Sequence, residues 1–126
     1  MADGAPLGPE IVLDVEIRDG AILVVLANTG TSTGFEPRVE FDVPLNGVDG
    51  IVVSDLRLWS ELPMLRPGQQ VEALLDVHGA RGVAPQQFSA TVTFRDGHGE
   101  RRQRTYTHDL TVYDTVPTII QGSRRD

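Results

Sequence analysis

Apolar and polar residues alternate with a period of two along most of this chain, the pattern of strands with one buried face. In residues 10–18, Leu13, Val15 and Ile17 lie opposite Asp14, Glu16 and Arg18. In residues 38–43, Val39, Phe41 and Val43 lie opposite Arg38, Glu40 and Asp42. Val71, Ala73, Leu75 and Val77 form one side of another run, and Phe88, Ala90, Val92 and Phe94 one side of the next. Residues 101–113 read as a long final strand, with Tyr106, His108, Leu110 and Val112 on one face and Thr105, Thr107, Asp109, Thr111 and Tyr113 on the other. Residues 21–27 are almost continuously apolar, which fits a central strand covered on both faces or one near an edge that pairs with another segment. A further strand is predicted around Ile51, Val52 and Val53.

Turn residues separate these runs. Asp19-Gly20 is a two-residue hairpin signal, and Asp96-Gly97-His98-Gly99-Glu100 a longer hairpin loop. Pro63 and Pro67-Gly68 bound an apolar corner containing Leu62 and Leu65. Such a corner ahead of an amphipathic strand predicts a chain crossing from one sheet to another. Seven or eight antiparallel strands at intervals of about a dozen residues, without an amphipathic helix, predict an all-β, immunoglobulin-like β-sandwich. The expected organisation is a lead-in over residues 1–9, the sandwich over 10–114 and a tail over 115–126.

The chain has 126 residues, which fits one domain. Its net charge of −7 argues against a nucleic-acid binder, because such affinity rests on neutralising phosphates. All eleven cationic side chains are Arg, attributable to a GC-rich coding genome. There is no Cys, which removes disulfides, thiolate metal sites and cysteine nucleophiles. The first residues carry neither the basic nor the apolar region of a signal peptide, and no window has the length of a membrane span. As it stands the sequence predicts a cytoplasmic protein, or an extracellular one if the chain is a module excised from a longer protein.

Asn28-Thr29-Gly30 at the end of the second strand, Leu62-Pro63-x-Leu65-x-Pro67-Gly68 before the fifth and the Asp96-Gly97 hairpin occur in that order. Together they resemble the bacterial immunoglobulin-like modules grouped as CARDB-type or NTG/LxPG domains. The resemblance extends over residues 10–113. It implies a β-sandwich from a cell-surface or adhesion protein, or a spacer appended to an enzyme, with no catalytic residues. The sequence departs from those modules in lacking a secretion signal and the acidic-Asn-Asn ending of the last strand.

Candidate chemistry is sparse. His78, His98 and His108 lack metal-ligand spacing, and a zinc site needs three or four converging ligands. Asp14, Glu16, Asp19, Asp49, Asp96 and Glu100 sit near turns, but no segment has a dense ladder of calcium ligands. Residues 28–34 are rich in Gly, Thr and Ser, yet no helix follows to support phosphate binding. Ser54, Ser60 and Ser89 lack the glycines of a nucleophile elbow. No cofactor or metal is expected.

These readings lead to a non-catalytic protein-binding or structural module acting through a sheet face, an edge strand or the C-terminal tail. A protein partner or a homo-oligomer is expected, with no nucleic acid and no membrane span. The candidate contact residues are Trp59, a core aromatic or an exposed anchor; Arg102 and Arg104, which share a strand face; and Ile119 and Ile120 in the tail. The alternative is an accessory ligand-binding domain of an enzyme, for carbohydrate, stacking sugars on Trp59, Tyr106 and Tyr113.

Overall fold

A computed structural model of the chain describes residues 8–77 and 84–113. Seven strands are present among them: β1 (Ile11–Arg18), β2 (Ala21–Asn28), β3 (Gly34–Phe41), β4 (Met64–Leu65), β5 (Gln70–Val77), β6 (Gln87–Arg95) and β7 (Arg101–Asp109). They form a three-stranded sheet in the order β1-β2-β5 and a four-stranded sheet in the order β4-β3-β6-β7. All pairings are antiparallel. The protein is an all-β sandwich, as the alternation predicts.

The inward positions of β1 and β6 match that pattern, while β5 departs from it at an irregularity opposite Ile22 and Leu23, which leaves Val77 exposed and Asp76 buried. Ile11, Leu13, Val15 and Ile17 from β1 meet Phe88, Ala90, Val92 and Phe94 from β6 in one core, and all eight are buried. Val39 and Leu75 join them from β3 and β5. The hairpin at Asp19-Gly20 has positive φ at both residues, 52° and 82°, which gives the turn the right-handed twist of its flanking strands. The proline-bounded corner crosses from β4 in one sheet to β5 in the other.

Three expectations are corrected. The run around Ile51–Val53 is not a sheet strand. Asp49 and Gly50 both take left-handed φ, 58° and 73°, and the Gly47 N–H donates to the Ile51 carbonyl at 2.7 Å. The tight turn over Val48–Gly50 leaves no room for a ladder; among the described residues one isolated bridge, Asn46 to Val52, is all that forms there. A 3₁₀ turn at Val53–Asp55 and the one-turn helix α1 (Leu58–Glu61) follow. Next, β3 starts at Gly34 rather than Arg38, because a bulge with Glu36 at φ 52° admits Pro37, which has no N–H to give. Finally, β7 stops at Asp109, whose carboxylate accepts the Thr111 N–H at 2.9 Å and its hydroxyl at 2.5 Å, turning the chain into a 3₁₀ segment at Leu110–Tyr113.

Candidate functional site

Asn28 lies at the end of β2, 1% exposed. Its Nδ2 donates to the carbonyls of Leu65 (2.8 Å) and Ser32 (2.9 Å). Its Oδ1 accepts from the backbone N–H groups of Glu10 (3.2 Å) and Gly30 (2.9 Å). The Gly68 N–H donates to the Asn28 carbonyl at 2.8 Å, and the Asn28 N–H to the Gln69 carbonyl at 3.0 Å. The Asn28-Thr29-Gly30 and Leu65-x-Pro67-Gly68 motifs are therefore two halves of one join, which links the sheets. Gly30 has no space for a side chain: a Cβ there would lie 2.2 Å from the Gly8 carbonyl oxygen.

The inward face of β7 is polar, and each of its side chains is used within the fold. Arg102 bridges Asp96 at 3.1 Å and Arg104 bridges Glu10 at 3.5 Å. The Tyr106 hydroxyl donates to the Ile11 carbonyl at 3.2 Å, and His108 Nε2 lies 3.0 Å from the Leu13 carbonyl. These contacts close the seam between β7 and β1. Burial pushes the Tyr106 hydroxyl pKa above its ordinary value, Glu10 adds to the rise and Arg104 opposes it. Asp96 organises the β6–β7 hairpin, accepting from the N–H groups of His98 and Glu100, both at 2.9 Å. The Glu100 bond, with those of His98 and Arg102, holds its carboxyl below the usual range against an opposing desolvation effect.

The sequence-derived contact residues do not gather in one place. Trp59 is a core residue, 2% exposed, with its Nε1–H on the Val53 carbonyl at 2.7 Å and its ring edge-on to Phe41 at 5.3 Å. Arg102 and Arg104 share a face, as the alternation predicts, and both are ion-paired within the chain. Ile119 and Ile120 lie outside the described residues, as does His78. Strand β2, whose apolar run suggested strand pairing, is central: β1 and β5 already occupy both its edges. No group of three or more His, Asp or Glu among the described residues is placed to hold a metal. No helix among them is long and apolar enough to cross a membrane.

Among the described residues, hollows at two places bear on function. A groove of about 370 Å³ at one end of the sandwich brings Thr31 and Ser32 to the hairpin residues Asp96 and His98 and to Arg102. The Arg102 Nε is buried there without a hydrogen-bond partner, while its NH2 group is held by Asp96. The larger cleft, about 440 Å³, runs along Val39, Glu40, Phe41, Asp42, Val43 and Pro44, with Ser54 and Asp55 across from them. Side chains from both faces of β3 line it, which places it along the strand edge. Beyond Phe35 that edge has no partner strand: the Glu36 N–H donates to the Pro63 carbonyl at 2.8 Å, the Arg38 guanidinium to the Leu62 carbonyl at 3.0 Å, and α1 packs against the strand.

The unpaired groups follow from the ladder. The Asp42 N–H donates to the Ser89 carbonyl at 3.0 Å, and the Ser89 N–H to the Asp42 carboxylate at 2.8 Å. Arg38 and Glu40 share that orientation by alternation, so the backbone groups of Val39, Phe41 and Val43 point away from β6. Among the described residues no loop or side chain bonds to them. Sequence reasoning found the two faces of this strand and missed its open edge. The signal was Pro63, whose carbonyl takes the Glu36 N–H but which has no N–H to return, so the pairing of Met64 and Leu65 goes no further on that side.

The fold and these surfaces define an antiparallel β-sandwich with an acidic cleft along one unpaired strand edge. Residues 6–114 match the family described as Domain of unknown function (DUF8453), and the chain belongs to it. None of the curated proteins matches the chain.

Proposed function

We propose that this protein is a non-catalytic, immunoglobulin-like module that binds another protein through an edge of its sheets. The observation that carries the reading is the second half of β3, where backbone donors and acceptors at Val39, Phe41 and Val43 stand unpaired beside a cleft. Unpaired strand edges are templates for pairing, and folded proteins ordinarily blunt them. The β1 edge is blunted in this way. Tyr106 and His108 cover the carbonyls of Ile11 and Leu13, and the Asp14 carboxylate takes the Val15 N–H at 2.8 Å. The likeness to CARDB-type modules is supported by the way its two main motifs meet at Asn28.

The test places a photo-crosslinking benzoylphenylalanine at Glu40 on β3, Leu74 on β5 or Thr105 on β7, with exposed Ser60 on α1 as control, in cells that naturally express the protein. The reading expects a discrete protein adduct from at least one edge position. Adducts at none of the three above the Ser60 background would overturn it.

A further inference from the structure

We infer that the β3 cleft receives an extended, basic segment of a partner protein, which adds to the four-stranded sheet as an antiparallel strand beyond β4. The inference rests on the edge-binding reading above and names the edge and the chemistry of its occupant. The backbone argument comes first. Phe41 is half-buried beside the cleft, and its outward N–H and C=O have no partner among the described residues. Main-chain groups of this kind are ordinarily paired, and an incoming strand supplies the matching groups at the same repeat. The cleft follows consecutive residues of β3 and its continuation, which is the footprint of an extended chain rather than of a helix.

Side chains set the occupant's pattern. Glu40 and Asp42 project on the outer face of the strand and Asp55 stands across the cleft; all three are exposed. No salt bridge pairs any of the three among the described residues. On the inner face, Val39 and Phe41 adjoin the core. Cross-strand neighbours share a face, so the occupant carries Arg or Lys opposite Glu40 and Asp42, alternating with small apolar residues opposite Val39 and Phe41. A net charge of −7 favours the same cationic partner over longer range.

Other edges fit this role less well. On β5 the Val77 N–H is already taken by the Asp76 carboxylate at 2.8 Å. The β7 edge carries Arg101, Arg102 and Arg104, a charge that protects it against pairing and repels a basic segment.

The test uses a fluorescein-labelled nonapeptide of alternating arginine and valine, and the same peptide N-methylated at every valine. Methylation keeps the charge and removes the donors that an antiparallel strand aims at β3. Saturable binding is expected for the first peptide, with an affinity at least about tenfold weaker for the second, since several backbone bonds are lost. Binding slows hydrogen exchange at the Val39, Phe41 and Val43 amides. The double variant Glu40→Gln/Asp55→Asn, which alters exposed side chains only, weakens binding several-fold. Absence of binding, equal affinity for both peptides, or binding without slowed exchange at those amides would overturn the assignment. Crosslinks from Leu74 or Thr105 alongside such a failure would leave the edge-binding reading standing and move the contact elsewhere.

Discussion

Asn28→Ala tests whether the two turn motifs are held together as one join. The substitution removes two donated and two accepted hydrogen bonds from a side chain 1% exposed. The groups left behind differ in their access to water. The bonds to Glu10, Gly30 and Ser32 are part-buried, and the one to the Leu65 carbonyl is buried. Three part-buried bonds cost about 0.5–1 kcal/mol each, and a carbonyl stranded in the interior about 1–2 kcal/mol. The expected loss is therefore about 2.5–5 kcal/mol, a large part of the roughly 5–15 kcal/mol that stabilises a typical domain.

Equilibrium urea unfolding measures it. With a slope of about 2 kcal/mol per molar, the midpoint should fall by about 1.2–2.5 M at unchanged slope. Two companion variants separate the join from a general effect of substitution. Thr29→Ala removes only an exposed hydroxyl 3.3 Å from the Glu10 carbonyl and should cost under about 0.5 kcal/mol. Asn28→Asp keeps both acceptors and sets a carboxylate oxygen against the carbonyls of Leu65 and Ser32. Burial and that repulsion raise the new carboxyl's folded pKa, so its deficit relative to the unsubstituted protein should be largest near neutral pH and shrink in acid, where the protonated group donates. A loss under about 1 kcal/mol for Asn28→Ala, or a pH-independent deficit for Asn28→Asp, would refute the reasoning.

Three other outcomes are expected. Gly30→Ala drives a Cβ into the backbone of Gly8, Pro9 and Glu10 and should cost about 1–3 kcal/mol in urea unfolding, while Gly97→Ala, with open space around it, should not. Asp96→Asn should be most destabilising near neutral pH: the depressed carboxyl contributes stability that is present above its unfolded value of 3.8 and lost as pH falls through the folded value, so the two unfolding curves should converge in acid. Tyr106→Phe should cost about 1 kcal/mol through loss of the bond to the Ile11 carbonyl, and should remove a phenol titrating above 10.0 from the absorbance titration.

Much of the sandwich is legible in the sequence because period-two alternation reports which face of a strand is buried. The inward sets of β1 and β6 follow from it directly, as does the shared face of Arg102, Arg104, Tyr106 and His108. Alternation carries no information on which strands are neighbours. The continuous apolar run of β2 is ambiguous for that reason: Val25 is buried on the outer side of its sheet, flanked by Asp14 and Glu72, so both faces of the strand read alike. The segment from Asn46 to Leu62 fails differently. Its β-branched residues suggest a strand, while left-handed Asp49 and Gly50 and the 3₁₀ turn at Val53–Asp55 bend the backbone too often for a ladder to run.

The same limit explains why the candidate site was less visible than the fold. Trp59 and the arginines are conspicuous residue types, and the structure uses them internally: the indole fills the core, and the guanidiniums meet Asp96 and Glu10. What remains unpaired is backbone, which every sequence contains and no residue type announces. A free edge arises from a mismatch of lengths, eight residues of β3 against two of β4. Pro63 contributes to that mismatch, since its carbonyl accepts the Glu36 N–H at 2.8 Å but it has no N–H to return, and the chain before it is coiled into α1, which packs against β3. The corner that carries the chain between its sheets thus also leaves the outer half of β3 without a partner strand.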